Sequence, residues 1–177
     1  MRFKPAPTQK PLRTEQIILF RSSSQIFAIS SGSVQEVRSV DSLAGAATDV
    51  TEPRVNKVRH AIRRGDRNLY VVNVALHFGL PPSSAALVFV LRKSRLALLV
   101  DGIEKMTTMT ILQALPSAFC NEERQWYRGL TVLDQSVIPV VSPEGFLTRD
   151  ELSLLDSRSA TAALPPSSSA AGLEVNP

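Results

Sequence analysis

The sequence predicts an all-β fold with few helices, on three observations. Short runs rich in β-branched and aliphatic residues follow one another along most of the chain. Several runs are separated by only two or three small or polar residues, as is typical of hairpins in barrels and sandwiches. Helical periodicity is confined to two short segments. Hydrophobic residues make up 44% of the chain and aromatic residues only 6%, so the core must be mostly aliphatic.

Three pairs of runs are predicted to form hairpins. They are QIILFR with QIFAIS across residues 22–24, ALVFVLR with RLALLVDGI across 93–94, and GLTVL with SVIPVV across 134–135. A further strand is predicted for NLYVVNVAL, Asn68–Leu76. Pro139 lies inside the last run and cannot donate a backbone hydrogen bond, so we expect its strand to lie at a sheet edge or to be bulged there.

Two segments are predicted to be helical. EPRVNKVRHAIRR, residues 52–64, begins near a proline and places its aliphatic residues on one side, which predicts a short amphipathic helix. TRDELSLLDS, residues 148–157, has Thr148 three residues before Glu151. This spacing is that of a capping box and predicts a C-terminal helix.

The stretch QIFAISSGSVQEVRSV, residues 25–40, does not keep the period of one strand. Its small residues around Gly32 are predicted to turn the chain at a barrel corner. Val34, Val37 and Val40 then recur every third residue, whereas side chains on one strand face recur every second residue. We therefore expect a short irregular turn here, with valines facing a groove.

The two ends of the chain differ in composition from its middle. Residues 1–14 hold three prolines and no apolar period, and they are predicted to form a flexible arm. Residues 157–177 are rich in Ser, Ala and Pro and are predicted to form a disordered tail, because they offer few large apolar groups for burial. Residues 15–156 are the predicted folded domain.

Several classes of protein are excluded by the sequence. The longest apolar run, residues 85–91, is too short to span a bilayer, and the basic N-terminus has no apolar segment typical of a secretory signal. A single cysteine, Cys120, rules out an intramolecular disulfide framework. We therefore expect a soluble cytoplasmic protein without membrane insertion.

Catalytic and metal-binding patterns are sparse. Cys120 could act as a nucleophile with His60 or His77 as its base, but it lacks a nearby histidine in sequence and is predicted to be a small buried residue. The two histidines stand alone, which does not favour a metal site. Asp101 precedes Gly102 after a strand, a pattern typical of a turn. Glycine-rich phosphate-binding motifs do not occur. We expect no enzyme and no cofactor.

The densest basic segment is residues 54–67, which holds five arginines, one lysine and one histidine. It could contact phosphates, so a nucleic-acid-binding small β-barrel is the alternative function. Aromatic side chains that could stack on bases do not alternate with these arginines. We therefore expect no nucleic acid and consider an acidic partner the better match.

The order of these segments resembles the CheW-like coupling domain of bacterial chemosensory systems over about residues 15–156. The opening hairpin leads to a Val-x-Glu-Val segment, here Val34–Val37. LYVVNVALHFGLP and LALLVDGIEKM are similar to two later strands of that family. WYRGLTVLDQSVIPVVSPEGFL resembles its closing hairpin, and TRDELSLLDS its terminal helix.

The resemblance implies two five-stranded SH3-like β-barrels packed together through a shared hydrophobic core. It also implies a non-catalytic adaptor that joins the cytoplasmic tip of a chemoreceptor to the regulatory domain of a histidine kinase. Arg64-Gly65 resembles the end of an Asn-Leu-Arg-Gly motif whose arginine contacts the receptor. Ala61–Val72 otherwise departs from the family pattern, because Arg63 and Tyr70 stand where an aliphatic residue and a proline are usual. Asn73, just after this segment, stands where an aspartate is usual.

A partner-binding site is predicted from these segments. Aliphatic residues would rim a groove for a partner's apolar stripe, although each valine could equally belong to the barrel core. Charged residues beside them would set orientation and partner choice. The predicted site comprises Val34, Glu36, Val37, Arg38, Arg64, Gly65, Val100 and Ile103.

Overall fold

Strands dominate the computed structural model, which describes residues 14–162. The strands are β1 (Glu15–Ser22), β2 (Gln25–Ser30), β3 (Val34–Ser39), β4 (Ala47–Asp49), β5 (Val58–Arg64), β6 (Arg67–Asn73), β7 (Leu87–Leu91), β8 (Leu96–Val100), β9 (Gly102–Met109), β10 (Tyr127–Leu133) and β11 (Ser136–Val141). The helices are α1 (Val74–His77), α2 (Glu123–Trp126) and α3 (Arg149–Ala162). The predicted all-β class is confirmed.

The strands form two mixed sheets. One sheet has five strands in the order β10-β11-β2-β1-β9, and the other has six in the order β3-β7-β8-β6-β5-β4. All three predicted hairpins are present, as β1–β2, β7–β8 and β10–β11. Asp134 and Gln135 have φ values of 49° and 65°, the positive values that a two-residue hairpin turn requires. The bend predicted around Gly32 is a 3-10 turn, Ser31–Ser33, between the two sheets.

Alternating side chains divide the core into three layers. In β1, Ile17 and Leu19 pack in the core of the first barrel, which the five-stranded sheet forms, whereas Ile18 and Phe20 pack in a layer shared with the other sheet. Strands β6, β7 and β8 alternate in the same way between the shared layer and the core of the second barrel. Two barrels packed through a common layer are therefore confirmed, with six strands rather than five in the second.

A β-bulge explains the valine spacing in β3, where the predicted irregular turn is wrong. Val34 pairs with Leu91 and Val37 pairs with Phe89, and the register shifts between Val34 and Glu36. Because the bulge adds one residue, Val37 follows Val34 by three positions instead of two, and both lie on the strand face toward the shared layer.

A second bulge explains why residues 52–64 are not the predicted helix. Only a 3-10 turn, Pro53–Val55, precedes strand β5. The register shifts between Val58 and His60, and Val58 and Ala61 consequently pack in the same layer. The helix prediction placed Val55, Val58 and Ile62 on one side, but only the two valines pack in the shared layer, whereas Ile62 packs in the core of the second barrel.

The C-terminal helix begins as its capping box predicts. Thr148 N–H donates to Glu151 Oε2 at 2.8 Å, and Glu151 N–H donates to Thr148 Oγ1 at 3.2 Å. Leu155 is fully buried in the shared layer, which attaches α3 to both sheets. The helix continues to Ala162, so the predicted disordered tail is wrong for residues 157–162. Their alanines and serines extend the helix because small residues remain compatible with it once a preceding turn is formed.

Two strand predictions need correction in detail. The strand holding Pro139 is not at a sheet edge, since β11 lies between β10 and β2. However, its pairing with β2 is limited to Val140 with Ala28, just after the proline. The strand predicted over 68–76 ends at Asn73, whose side chain accepts a hydrogen bond from Leu76 N–H at 3.1 Å and starts α1.

The predicted N-terminal arm, apart from Thr14, and the remainder of the predicted tail, 163–177, lie outside the described residues. Within residues 14–162, the structure contains no helix of the length and apolar character needed to cross a membrane.

Candidate functional site

The structure does not form the predicted groove from all four aliphatic residues. Val34 is 7% exposed and Val100 is fully buried, and both belong to the shared layer. A rigid partner cannot contact them, so their placement in a groove is wrong and they support the fold instead. Val37 and Ile103 remain candidates because they are 40% and 39% exposed.

Val37 and Ile103 lie at the margin of the shared layer. Val37 is the register partner of Phe89, and Ile103 is the register partner of Phe20. The rings of Phe20 and Phe89 meet edge to face, with centroids 5.5 Å apart. The two exposed aliphatic residues are therefore register partners of two rings that contact each other. Each lies on a terminal strand of its sheet, β3 or β9, where a partner has access. Met106, also on β9, is exposed as well and was not predicted.

Glu36 and Arg38 form an ion pair along the edge of the second barrel. Arg38 donates through Nε to Glu36 Oε1 at 2.8 Å and through Nη2 to Oε2 at 3.0 Å. The hydrogen bond from Arg38 lowers the pKa of Glu36, and the positive charge of Arg64 adds to this effect. The pair lies on the face of β3 opposite Val37, because its register partners are the neighbours of Phe89.

Arg64 and Gly65 lie in the turn between β5 and β6. Gly65 has φ +63°, a left-handed conformation that glycine adopts without strain. Arg64 Nη1 donates to Gln35 Oε1 of β3 at 3.3 Å. The structure therefore brings Arg64 and Gly65 next to the predicted β3 segment, although they are far apart in sequence.

A row of exposed aliphatic residues on the first barrel was not predicted. We name Ile111, Val132 and Val137 the outer stripe; they are 57%, 47% and 63% exposed. Val132 and Val137 are register partners. An isolated bridge between Gln113 and Leu130 brings the segment that holds Ile111 alongside β10, where Thr131 Oγ1 donates to the Ile111 carbonyl at 2.9 Å. The alternation of GLTVL and SVIPVV was visible in sequence, but it could not show which face is outside.

The predicted burial of Cys120 is wrong, because Cys120 is exposed. Its backbone N–H donates to Glu123 Oε2 at 2.9 Å, which supports the start of α2. The two histidines have other partners: His60 Nδ1 lies 3.0 Å from Asp49 Oδ1, and the ring of His77 stacks on Phe146. The structure therefore does not show a cysteine–histidine pair.

His77 is held in an aromatic cluster. Its ring centroid lies 4.1 Å from that of Phe146 and 4.6 Å from that of Trp126. Burial lowers the pKa of His77 to about 3, and the positive charge of Lys57 contributes. The imidazole is therefore neutral at physiological pH, and it serves packing at the junction of the two barrels.

Asp101 has the structural role that its sequence context predicted. Its carboxylate accepts hydrogen bonds from Ser23 N–H at 2.7 Å and from Ser83 Oγ at 2.6 Å. It thereby fixes the β1–β2 turn. Residues 14–162 contain no group of three or more His, Cys, Asp and Glu side chains that could hold a metal ion.

The basic segment 54–67 is partly neutralised by carboxylates. Because the segment is mostly strand rather than helix, its side chains do not form one stripe. The ion pairs are Arg54 with Glu52 and Lys57 with Glu151. His60 forms a hydrogen bond with Asp49.

Comparisons with known proteins agree with this architecture. The sequence profile of the CheW-like domain family matches residues 16–151. A relative named "Probable chemotaxis protein CheW", from Rhizobium etli, is 26% identical over 144 residues, which cover 77% of this chain and 89% of the relative. The crystal structure of scaffolding protein TtCheW from Thermoanaerobacter tengcongensis is similar in fold, with a TM-score of 0.63 at 12% identity, over 78% of this chain and 96% of that chain. The chain therefore belongs to the CheW-like domain family.

Proposed function

We propose that this protein is a non-enzymatic cytoplasmic adaptor that joins a chemoreceptor's cytoplasmic tip to the regulatory domain of a histidine kinase. Family membership supports a role in chemosensory signalling. The observation that carries the proposal is the presence of exposed aliphatic residues on both barrels: the outer stripe on the first, and Val37 on the second. An adaptor needs more than one such surface.

The β3 segment and its neighbours are the proposed receptor surface. Val37, Ile103 and Met106 would bury apolar area against a helical tip. Glu36, Arg38 and Arg64 would set its orientation, because exposed charges influence specificity and association rate more than affinity. Gly65 would contribute by forming the turn that follows Arg64. Val34 and Val100 support this surface indirectly, because their burial in the shared layer holds β3 and β8 in place.

The outer stripe is the proposed kinase surface. Its residues lie on β10, on β11 and in the segment after β9, whereas the proposed receptor surface lies on β3, β9 and the β5–β6 turn. The two surfaces share no residue, so two partners could bind at once. Fully burying one aliphatic side chain contributes roughly 1.5–3 kcal/mol. A few such side chains suffice for micromolar binding, about −8 kcal/mol.

Co-purification from the native host tests the proposed role. We expect the tagged protein to recover both a histidine kinase and a chemoreceptor, identified by mass spectrometry. A cross-linking step before lysis would retain complexes of micromolar affinity. Recovery of neither protein would contradict the adaptor function, even though the fold and the family would stand.

A further inference from the structure

Basic side chains without carboxylate partners are concentrated at one end of the second barrel. Most other arginines and lysines in residues 14–162 form ion pairs: Arg21, Arg38, Arg54, Lys57, Arg95, Lys105, Arg128 and Arg158. In contrast, the turns around β5–β6 and β7–β8 carry basic residues that form no ion pair with any described residue: Arg63, Arg64, Arg67, Arg92 and Lys93.

The strand arrangement places the two turns at the same end. β6 and β8 are parallel neighbours, with Tyr70 opposite Leu96, and Tyr70 N–H donates to the Arg95 carbonyl at 2.8 Å. The turns that precede these strands therefore lie side by side. They enclose an open cavity of about 420 Å³. Its polar lining comprises Gln35, Arg64, Arg67, Asn68, Lys93, Ser94 and Arg95.

The nearby carboxylate of Asp156 is already engaged. It accepts two hydrogen bonds from the Arg95 guanidinium and one from the Tyr70 hydroxyl. The hydrogen bonds from Arg95 lower the pKa of Asp156. Asp66, an exposed residue of the β5–β6 turn, is a second carboxylate nearby. Four basic side chains line the cavity, Arg64, Arg67, Lys93 and Arg95, so its positive charges exceed the negative charges of these two carboxylates.

We propose that this cavity and its rim, the basic end of the second barrel, bind an acidic segment of a protein partner. Carboxylates of that segment would supply the charge that Arg64, Arg67 and Lys93 lack. An extended peptide fits the setting, because Gln35 connects the cavity to β3, a terminal strand that can receive one alongside it. Nucleic acid fits less well, since the described residues that line the cavity include no aromatic side chain that could stack on a base.

This site shares Arg64 and the edge of β3 with the proposed receptor surface, but Arg67 and Lys93 belong to this site alone. Changes at these two residues therefore test the inference separately from the adaptor role. The inference concerns binding by the isolated protein, whereas the adaptor role concerns complexes recovered from cells. Failure of one therefore leaves the other standing.

Fluorescence anisotropy with a labelled oligoglutamate peptide tests the proposal. Oligoglutamine of equal length serves as the uncharged control, and a single-stranded oligonucleotide of matched charge as the competing polyanion. The cavity variant combines Arg67→Glu with Lys93→Glu. The control variant combines Arg59→Glu with Arg149→Glu. The control pair makes the same change in net charge at exposed positions that do not line the cavity. Thermal melts verify that both variants fold.

We expect oligoglutamate to bind and oligoglutamine not to bind. The cavity variant should weaken oligoglutamate binding about tenfold or more, the control variant less than about threefold, and added salt should weaken binding further. Equal losses in both variants would overturn the proposal, because net charge alone would then explain binding. Tighter binding of the oligonucleotide, or no binding of oligoglutamate at low salt, would also overturn it.

Discussion

The outer stripe of the first barrel is aliphatic, whereas the basic end of the second barrel exposes arginines and a lysine. In the first, Val132 and Val137 pair across β10 and β11 and point to solvent. In the second, the turns holding Arg67 and Lys93 surround an open cavity. The same architecture thus carries two surfaces of different chemistry. Aliphatic surface gives affinity through burial, whereas charge gives specificity, so we expect these two surfaces to select partner segments of different chemistry.

The largest expected effect is on closure of the first barrel. A Cβ on Gly129 would collide with the carbonyl oxygen of Gln113, which pairs with Leu130 to close the barrel. Gly129→Ala should therefore destabilise the protein by about 2–4 kcal/mol, measured by urea unfolding. Gly45→Ala is the control, because nothing lies near its Cβ position and its cost should reflect backbone conformation alone. A smaller loss for Gly129→Ala than for Gly45→Ala would show that the barrel does not close here.

The next effect concerns the attachment of α3 to the second barrel. Asp156→Ala removes the partner of Arg95 and of the Tyr70 hydroxyl, and should cost about 1–2 kcal/mol. Asp150→Ala, in the same helix and exposed, is the control and should cost less than about 0.5 kcal/mol. Chemical denaturation of both variants measures the difference. Equal stability would mean that the Asp156 network contributes nothing.

The junction between the barrels should respond to pH through His77. The folded protein holds the pKa of His77 at about 3, below its ordinary value of 6.5, so the unfolded chain binds a proton that the folded chain does not. Stability is therefore fully present above pH 6.5 and falls as the pH falls toward 3. Between pH 7 and pH 5 the loss should be about 1–2 kcal/mol.

Replacing the imidazole isolates this contribution. In His77→Phe, stability between pH 7 and pH 5 should become nearly independent of pH. The carboxylates whose pKa is lowered, such as Asp156, lose their contribution only at lower pH, so they do not obscure this window. Identical slopes for the wild type and His77→Phe in urea unfolding would contradict the assignment.

The smallest effect on stability is expected at the edge of the second barrel. Glu36→Lys breaks the exposed ion pair with Arg38 and should cost less than about 1 kcal/mol. Receptor binding should nevertheless weaken, because the reversed charge faces the proposed partner. Asp134→Lys, which breaks an exposed ion pair with Lys105 on the first barrel and makes the same change in net charge, is the matched control. Unfolding of Glu36→Lys would instead show that this segment is part of the core.

The sequence predicted the strands and hairpins well, but not the two places where a bulge changes the period. Val34 and Val37, like Val58 and Ala61, are three residues apart on one strand face. A bulge depends on how the strand pairs with its neighbour, which the sequence does not show. The spacing of aliphatic residues alone therefore predicted a turn for β3 and a helix for the β5 segment. The capping box at Thr148, in contrast, is a local interaction, and its prediction is confirmed.

The candidate site was only partly accessible to sequence for a similar reason. Val37 and Val100 are alike in sequence, yet one is exposed at a terminal strand and the other is buried in the shared layer. The outer stripe and the pairing of the β5–β6 and β7–β8 turns depend on which strands become neighbours. Which strands become neighbours depends on contacts between residues far apart in sequence, and these cannot be predicted from hydrophobic periodicity.

Binding of two partners to two surfaces is the central claim, and isothermal titration calorimetry with purified partners tests it directly. A receptor tip fragment and a kinase regulatory domain from the native host would each be titrated into the wild type, Val37→Glu and Val137→Glu. We predict that Val37→Glu loses receptor affinity by tenfold or more and keeps kinase affinity, and that Val137→Glu does the reverse. Loss of both affinities in either folded variant, or of neither, would contradict the account.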